Sequence, residues 1–187
     1  MRKRFKGLPI AILICLSILL CMRGGLFGAV SRGGAVFGMD SFRSVPTGVI
    51  LSQMLSYEPD CPVGTVYTSL SGEGEAGYFT PSLCIALYGD GAVPKEWESV
   101  EEFSIFLTAT EHPVELAVFR SLSSADAEEV AELCARRLSV LRRFRRGTEY
   151  ELYTARAQIA VFGRYVVMAV SADPEVAVEE ARRVIRG

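Results

Sequence analysis

Histidine is almost absent from this sequence. Of 187 residues, only His112 carries an imidazole. A serine or cysteine nucleophile needs an adjacent base, so any histidine-dependent triad would have to use His112, which stands beside Pro113 in a short connection between apolar runs. A turn residue is the simpler reading. Paired metal ligands are also lacking, because Cys61, Cys84, Cys134 and His112 show none of the close spacings that zinc sites use. Basic residues are scarce where a polyanion would need them: residues 44–120 hold 2 basic and 11 acidic side chains. Nucleic-acid binding depends on neutralising phosphates with a basic surface, and that class is excluded.

Acidic residues are missing from the N-terminus altogether, the first being Asp40, whereas Arg2, Lys3, Arg4 and Lys6 crowd the start. An uninterrupted apolar run, Leu8 to Met22, follows. This is the charged and then apolar pattern of an export signal. The cations are expected to stay cytoplasmic, which places everything after Arg23 outside. Fifteen apolar residues rise only about 22 Å as a helix, short of the ~30 Å hydrocarbon core. Continuing through Val30 reaches full length if Arg23 snorkels. Residues 1–23 therefore read as an uncleaved signal anchor, with secretion after cleavage near Ala29-Val30-Ser31 as the alternative. Leu20 is too large for lipid attachment at Cys21. Residues 24–45 contain six glycines and read as a tether.

Residues 46–187 have the length of one domain, and the chain is 50% hydrophobic, which argues against disorder. Residues 24–187 carry 15 basic and 22 acidic side chains, a net −7. Val49, Ile50, Leu51, Met54 and Leu55 suggest a short amphipathic helix, and the segment 61–67 a loop or short strand. Thr80 and Pro81 are a helix cap and first turn, with Gly89 as a left-handed stop. Runs 103–108 and 114–119 are rich in β-formers and predict two strands. Ser123 or Ser124 is expected to cap a helix over 125–145, with Val130, Leu133, Cys134, Leu138, Leu141 and Phe144 as its buried stripe. Acidic residues in its first turn and arginines in its last complement the helix dipole. Residues 157–162 and 165–170 flank Gly163-Arg164, a two-residue hairpin turn. Asp173-Pro174 opens a closing helix, with Val176, Val178 or Ala177, Ala181 and Val184 inward. The predicted class is α+β: a small antiparallel sheet with helices packed on one face, preceded by the N-terminal transmembrane or signal helix.

The runs Leu116-Ala117-Val118-Phe119-Arg120, Asp126-Ala127-Glu128-Glu129-Val130, Ala160 to Val167 and Ser171-Ala172-Asp173-Pro174-Glu175 resemble the bacterial family designated domain of unknown function 4358. The resemblance covers about residues 80–187. It implies a small extracytoplasmic protein with a signal, lipid site or membrane anchor, and it supplies no activity and no site residues. Leu20 departs from the lipid-anchored members.

Gly72-Glu73-Gly74-Glu75-Ala76-Gly77 formally matches a dinucleotide fingerprint, but that chemistry needs the last glycine to open a helix. Here Glu73 and Glu75 would repel the anion, and the next helix starts only near Pro81. No cofactor is expected. Glu101-Glu102 and Glu128-Glu129 read as solvated boundary residues rather than a glycosidase pair. Cys61 and Cys84 are a possible disulfide, which an extracytoplasmic setting permits. The arginines at 136, 137, 142, 143, 145 and 146 form the densest charge cluster. They read as a solvated helix face or, through Arg136, Arg142, Arg143 and Arg146, as an electrostatic docking surface weakened by salt. The expected function is a non-catalytic, membrane-tethered interaction or envelope-accessory module, its partner an unidentified protein or envelope polymer. The competing class is an extracytoplasmic hydrolase whose site the sequence does not display.

Overall fold

A computed structural model describes residues 44–58, 62–109 and 112–187. The expected membrane helix at 1–23, and all of the tether before Ser44, lie outside those residues. Among the described residues, no helix is long and apolar enough to cross a membrane.

In chain order the elements are α1 (Thr47–Ser56), β1 (Gly64–Thr68), α2 (Pro81–Tyr88), a 3-10 turn (Lys95–Ser99), β2 (Val100–Thr108), β3 (Glu115–Ser121), α3 (Ala127–Arg145), α4 (Glu151–Arg156), β4 (Gln158–Phe162), β5 (Tyr165–Val170) and α5 (Pro174–Arg186). The five strands form one antiparallel sheet in the order β1-β2-β3-β5-β4.

Alternation along the strands decides the layers. Successive strand side chains point to opposite faces, and β2 contributes apolar residues to both. Phe103 and Ile105 join Phe119, Val166, Met168 and α3's Val130, Leu133, Cys134 and Leu138 in one core. Phe106 joins Leu116, Val118, Val167, α1's Ile50, Leu51 and Met54, and α5's Ala177, Ala181 and Ile185 in another. Helices therefore cover both faces of the sheet, which corrects the expectation of one covered face. The reason is visible in β5, where all six residues are buried: a strand apolar on both sides needs two partners.

Local signals place several ends. Thr80 Oγ1 accepts from the Leu83 N–H at 3.1 Å, and Pro81 fills the first helical position. Gly163, at φ 59°, makes the tight β4–β5 turn. Gly89 does not take the left-handed stop: its backbone is extended, at φ −93°. A glycine is needed there for another reason, since a Cβ would stand 2.1 Å from the Ala92 carbonyl oxygen.

Helix α3 starts at Ala127 rather than Ala125, because Ser123 is spent on the preceding turn. Its Oγ bonds the Asp126 carboxylate at 2.7 Å and accepts from the Asp126 N–H at 3.3 Å. Phe144, expected in the stripe, is 71% exposed. In α5 the buried row is Ala177, Ala181 and Ile185, with Val178 and Val184 beside it and Val176 outward.

Candidate docking groove

The arginines of α3 sort by helical phase. Arg136 donates two hydrogen bonds to Glu96, at 3.1 and 2.8 Å, tying the 3-10 turn to the helix. The bond of Glu96 to its own backbone N–H, followed by the Arg136 guanidinium, holds its carboxyl below the usual range. Arg137 grips Glu115 on β3 through Nε and Nη2, the shortest contact being 2.6 Å. The side chains of that pair are only 12% and 5% exposed. Burial alone would lower the Arg137 guanidinium, but the Glu115 carboxylate more than offsets it and the net direction is up. Arg142 turns away and donates to the Thr154 carbonyl at 3.0 Å, holding α4 in place. Arg143 lies over the Phe144 ring at 5.7 Å, and Arg145 over Tyr150 at 5.6 Å. Arg146 is exposed just past the helix end.

Of the four arginines expected to dock a partner, the structure brings Arg136 and Arg143 to one groove. Arg142 and Arg146 lie on another side of the helix and do not line it. The groove encloses about 650 Å³ between α3 and the end of α2 with the loop that follows. Leu87, Tyr88, Val93, Pro94 and Val140 supply its apolar lining, and Arg136, Arg137, Arg143 and the carboxylate of Asp90 its charge. Arg136, Val140 and Arg143 share a face because their spacings are four and three residues. The close turn at Gly89 sets the loop against the helix. Tyr88 is 4% exposed, and its hydroxyl has no hydrogen-bond partner among the described residues. Burial, then the charge of Glu115, pushes that phenol well above its ordinary range.

A second hollow of about 210 Å³ adjoins, sharing Leu87 and Arg137 with the first. His112, Glu115, Leu141 and Arg145 stand around it. The His112 ring sits 5.6 Å from both Tyr150 and Tyr153, and its carbonyl accepts from Thr108 Oγ1. Sequence separation hid these partners: Glu96 and Glu115 lie 40 and 22 residues before the arginines they hold. Nothing in the local pattern foretold either pairing.

The remaining candidates fall elsewhere. Cys84 is buried as a free thiol and Cys61 lies outside the described residues. Burial pushes the Cys84 thiol up to about 11 and the Cys134 thiol further still. Glu75 in the glycine-rich segment accepts from the Gly72 N–H at 2.7 Å, closing a turn with no helix behind it. Glu101 and Glu102 both meet Arg120, and Glu101 also meets Arg164. Glu129 accepts from Ser99 at 2.9 Å. Among the described residues, no group of three His, Cys, Asp or Glu side chains is placed to hold a metal ion.

Compared with known proteins, the chain matches no family model, no curated protein and no solved structure.

Proposed function

We propose that this chain is a membrane-tethered, outward-facing, non-catalytic interaction module, which docks an acidic partner in the groove beside α3. Arg143 is the observation that carries the reading. It enters no ion pair with a described residue, and it stands at the rim of a groove whose other arginines, Arg136 and Arg137, are locked in position by Glu96 and Glu115. With those two arginines already neutralised, Arg143 is the groove cation left to attract an acidic group, in a lining that also holds Asp90. The polybasic leader and apolar run support the outward orientation. The resemblance over about residues 80–187 supports placing the chain among the anchored members of the family that it resembles.

Two measurements test this. Protease added to intact protoplasts should digest α5 of the full-length chain; a protected C-terminus would remove the outward orientation. Crosslinking from intact cells should recover a partner whose yield falls with salt and with Arg143→Gln. A yield indifferent to both would remove the groove from the account.

The competing hydrolase would draw on the second hollow, whose lining includes both His112 and the Arg137-bound Glu115. Turnover in a hydrolase screen that disappears with His112→Ala would favour it.

A further inference from the structure

The sheet ends in two edge strands, β1 and β4, and the chain treats them differently. An edge presents unpaired N–H and C=O groups, with which another strand can pair. On β1 the Ser69 N–H bond to the Phe103 carbonyl, at 3.2 Å, fixes the phase, so Gly64, Val66 and Thr68 turn their backbone groups outward. The glycine-rich segment covers that edge. The Gly77 carbonyl accepts from the Thr68 N–H at 3.0 Å, and a Cβ on Gly77 would stand 2.5 Å from the Val66 carbonyl oxygen. On the other side of the sheet, the Ser121 N–H bond to the Arg164 carbonyl, at 2.8 Å, sets the phase of β5. Tyr165, Val167 and Ala169 then bond β4 through Phe162, Ala160 and Gln158, while Ile159 and Val161 turn their backbone groups away from the sheet. No hydrogen bond from a described residue meets those outward groups. The strand also lacks the usual protections, since Gln158–Phe162 contains no charge, no proline and no bulge.

We infer that this edge is an interface between two copies of the chain, joined antiparallel through β4. Pairing centred on Ala160 sets Ile159 opposite the partner's Val161, and Val161 opposite the partner's Ile159. Each of these pairs exchanges two hydrogen bonds, so every outward group of both strands is used. The side chains agree. Ile159 and Val161 share one face, opposite Met168 and Val166 of β5, and Val161 is 42% exposed in the single copy. An apolar cross-strand neighbour covers it. At the strand ends Arg156 comes opposite the partner's Arg164, but Glu175 and Glu101 already hold these two arginines. A second copy suits the edge because the strand is complementary to itself, whereas a charged foreign strand finds no opposite charge within it. The interface does not depend on the groove beside α3 or on its occupant.

The experiment is disulfide trapping of the full-length chain, solubilised directly from cells and carrying Cys15→Ser, Cys21→Ser and Cys61→Ser. The remaining thiols, Cys84 and Cys134, are buried. The pairing makes the two copies of residue 160 a non-hydrogen-bonded pair with Cα atoms about 4.5 Å apart, within disulfide range. Ala160→Cys is therefore expected to give a crosslinked dimer on mild oxidation. Val161→Cys faces the partner's Ile159 and should give about fivefold less or lower. Adding Val161→Pro removes an outward N–H and no bond to β5, and adding Val161→Lys instead places a charge on the edge. Each should abolish the Ala160→Cys crosslink with thermal melting unchanged. Equal trapping at 160 and 161, no trapping at 160, or trapping that survives both additions would overturn the pairing. Capture of a different protein in place of the dimer would overturn it too, by assigning the edge to a foreign strand.

Discussion

The hydroxyl of Tyr165 and the backbone of Val45 bond each other twice: the Val45 N–H donates to the phenol oxygen at 2.7 Å, and the phenol donates to the Val45 carbonyl at 2.8 Å. Tyr165 itself is 2% exposed, on β5, which lies between β3 and the edge strand β4. Two residues on, the N–H and hydroxyl of Thr47 both donate to Glu102, at 2.8 and 2.9 Å, and Arg120 pairs with the same carboxylate at 2.6 Å. The segment leading into α1 is thus fixed to β2 and β5, on either side of the middle strand β3, and α1 receives the cap that its own Pro46 cannot supply.

Tyr165→Phe keeps the ring and removes both bonds. The expected loss is about 1–2 kcal/mol of stability, together with faster amide exchange in α1 than in β5. Chemical unfolding and hydrogen exchange measure the two.

The Arg137–Glu115 pair gives a second expectation. Removing one partner leaves a buried charge uncompensated, so Arg137→Met should cost about 3–5 kcal/mol. Replacing both, Arg137→Met with Glu115→Leu, should recover most of that loss, because two apolar side chains need no partner there. Urea unfolding of the two singles and the double closes the cycle.

Acid sensitivity follows from Glu96. A carboxyl whose folded pKa is lowered contributes stability that is fully present above the unfolded value. The contribution is lost as pH falls through the folded value. Glu96 is held down in the folded state, so its contribution is complete above pH about 4.3 and fades below it. Because the Arg136 side chain is 45% exposed, the effect is small. Unfolding midpoints measured from pH about 6 to about 3 should fall less steeply in Glu96→Gln than in the parent.

The thiols offer a chemical check. Only thiolate reacts readily, and Cys84 and Cys134 are both buried with raised pKa values. Alkylation of native protein at neutral pH should leave both unmodified, and denaturation should expose them. Peptide mapping under non-reducing conditions also reads the Cys61–Cys84 expectation directly, since a crosslink would withhold Cys84 even after unfolding.

Much of the fold was legible where the signal is local. Thr80-Pro81 marked the start of α2, Gly163-Arg164 marked a hairpin turn, and Val130, Leu133, Cys134 and Leu138 marked the buried row of α3. Failures came where geometry beyond the segment decides. The run Tyr165 to Val170 announced burial on both sides, yet alternation within β2 disguises it, since Ser104 and Glu102 sit among the apolar residues of the second face. Phe144 continues the periodic row but lies in the last turn of α3, where its ring is 71% exposed. The 3-10 turn and α4 are too short to carry a periodicity. In the groove, the arginines were legible as a cluster, but their division into locked and unpaired groups was not. That division depends on Glu96, Glu115 and the Thr154 carbonyl, which reach them only through the fold.

The most direct measurement of the docking account is photo-crosslinking in intact cells from a reactive residue placed at Val93, compared with one placed at exposed Leu152. The account predicts a discrete partner band from position 93, abolished by Arg143→Gln, and none from position 152. A band of equal strength from both positions, or one from position 93 that survives Arg143→Gln, would contradict it.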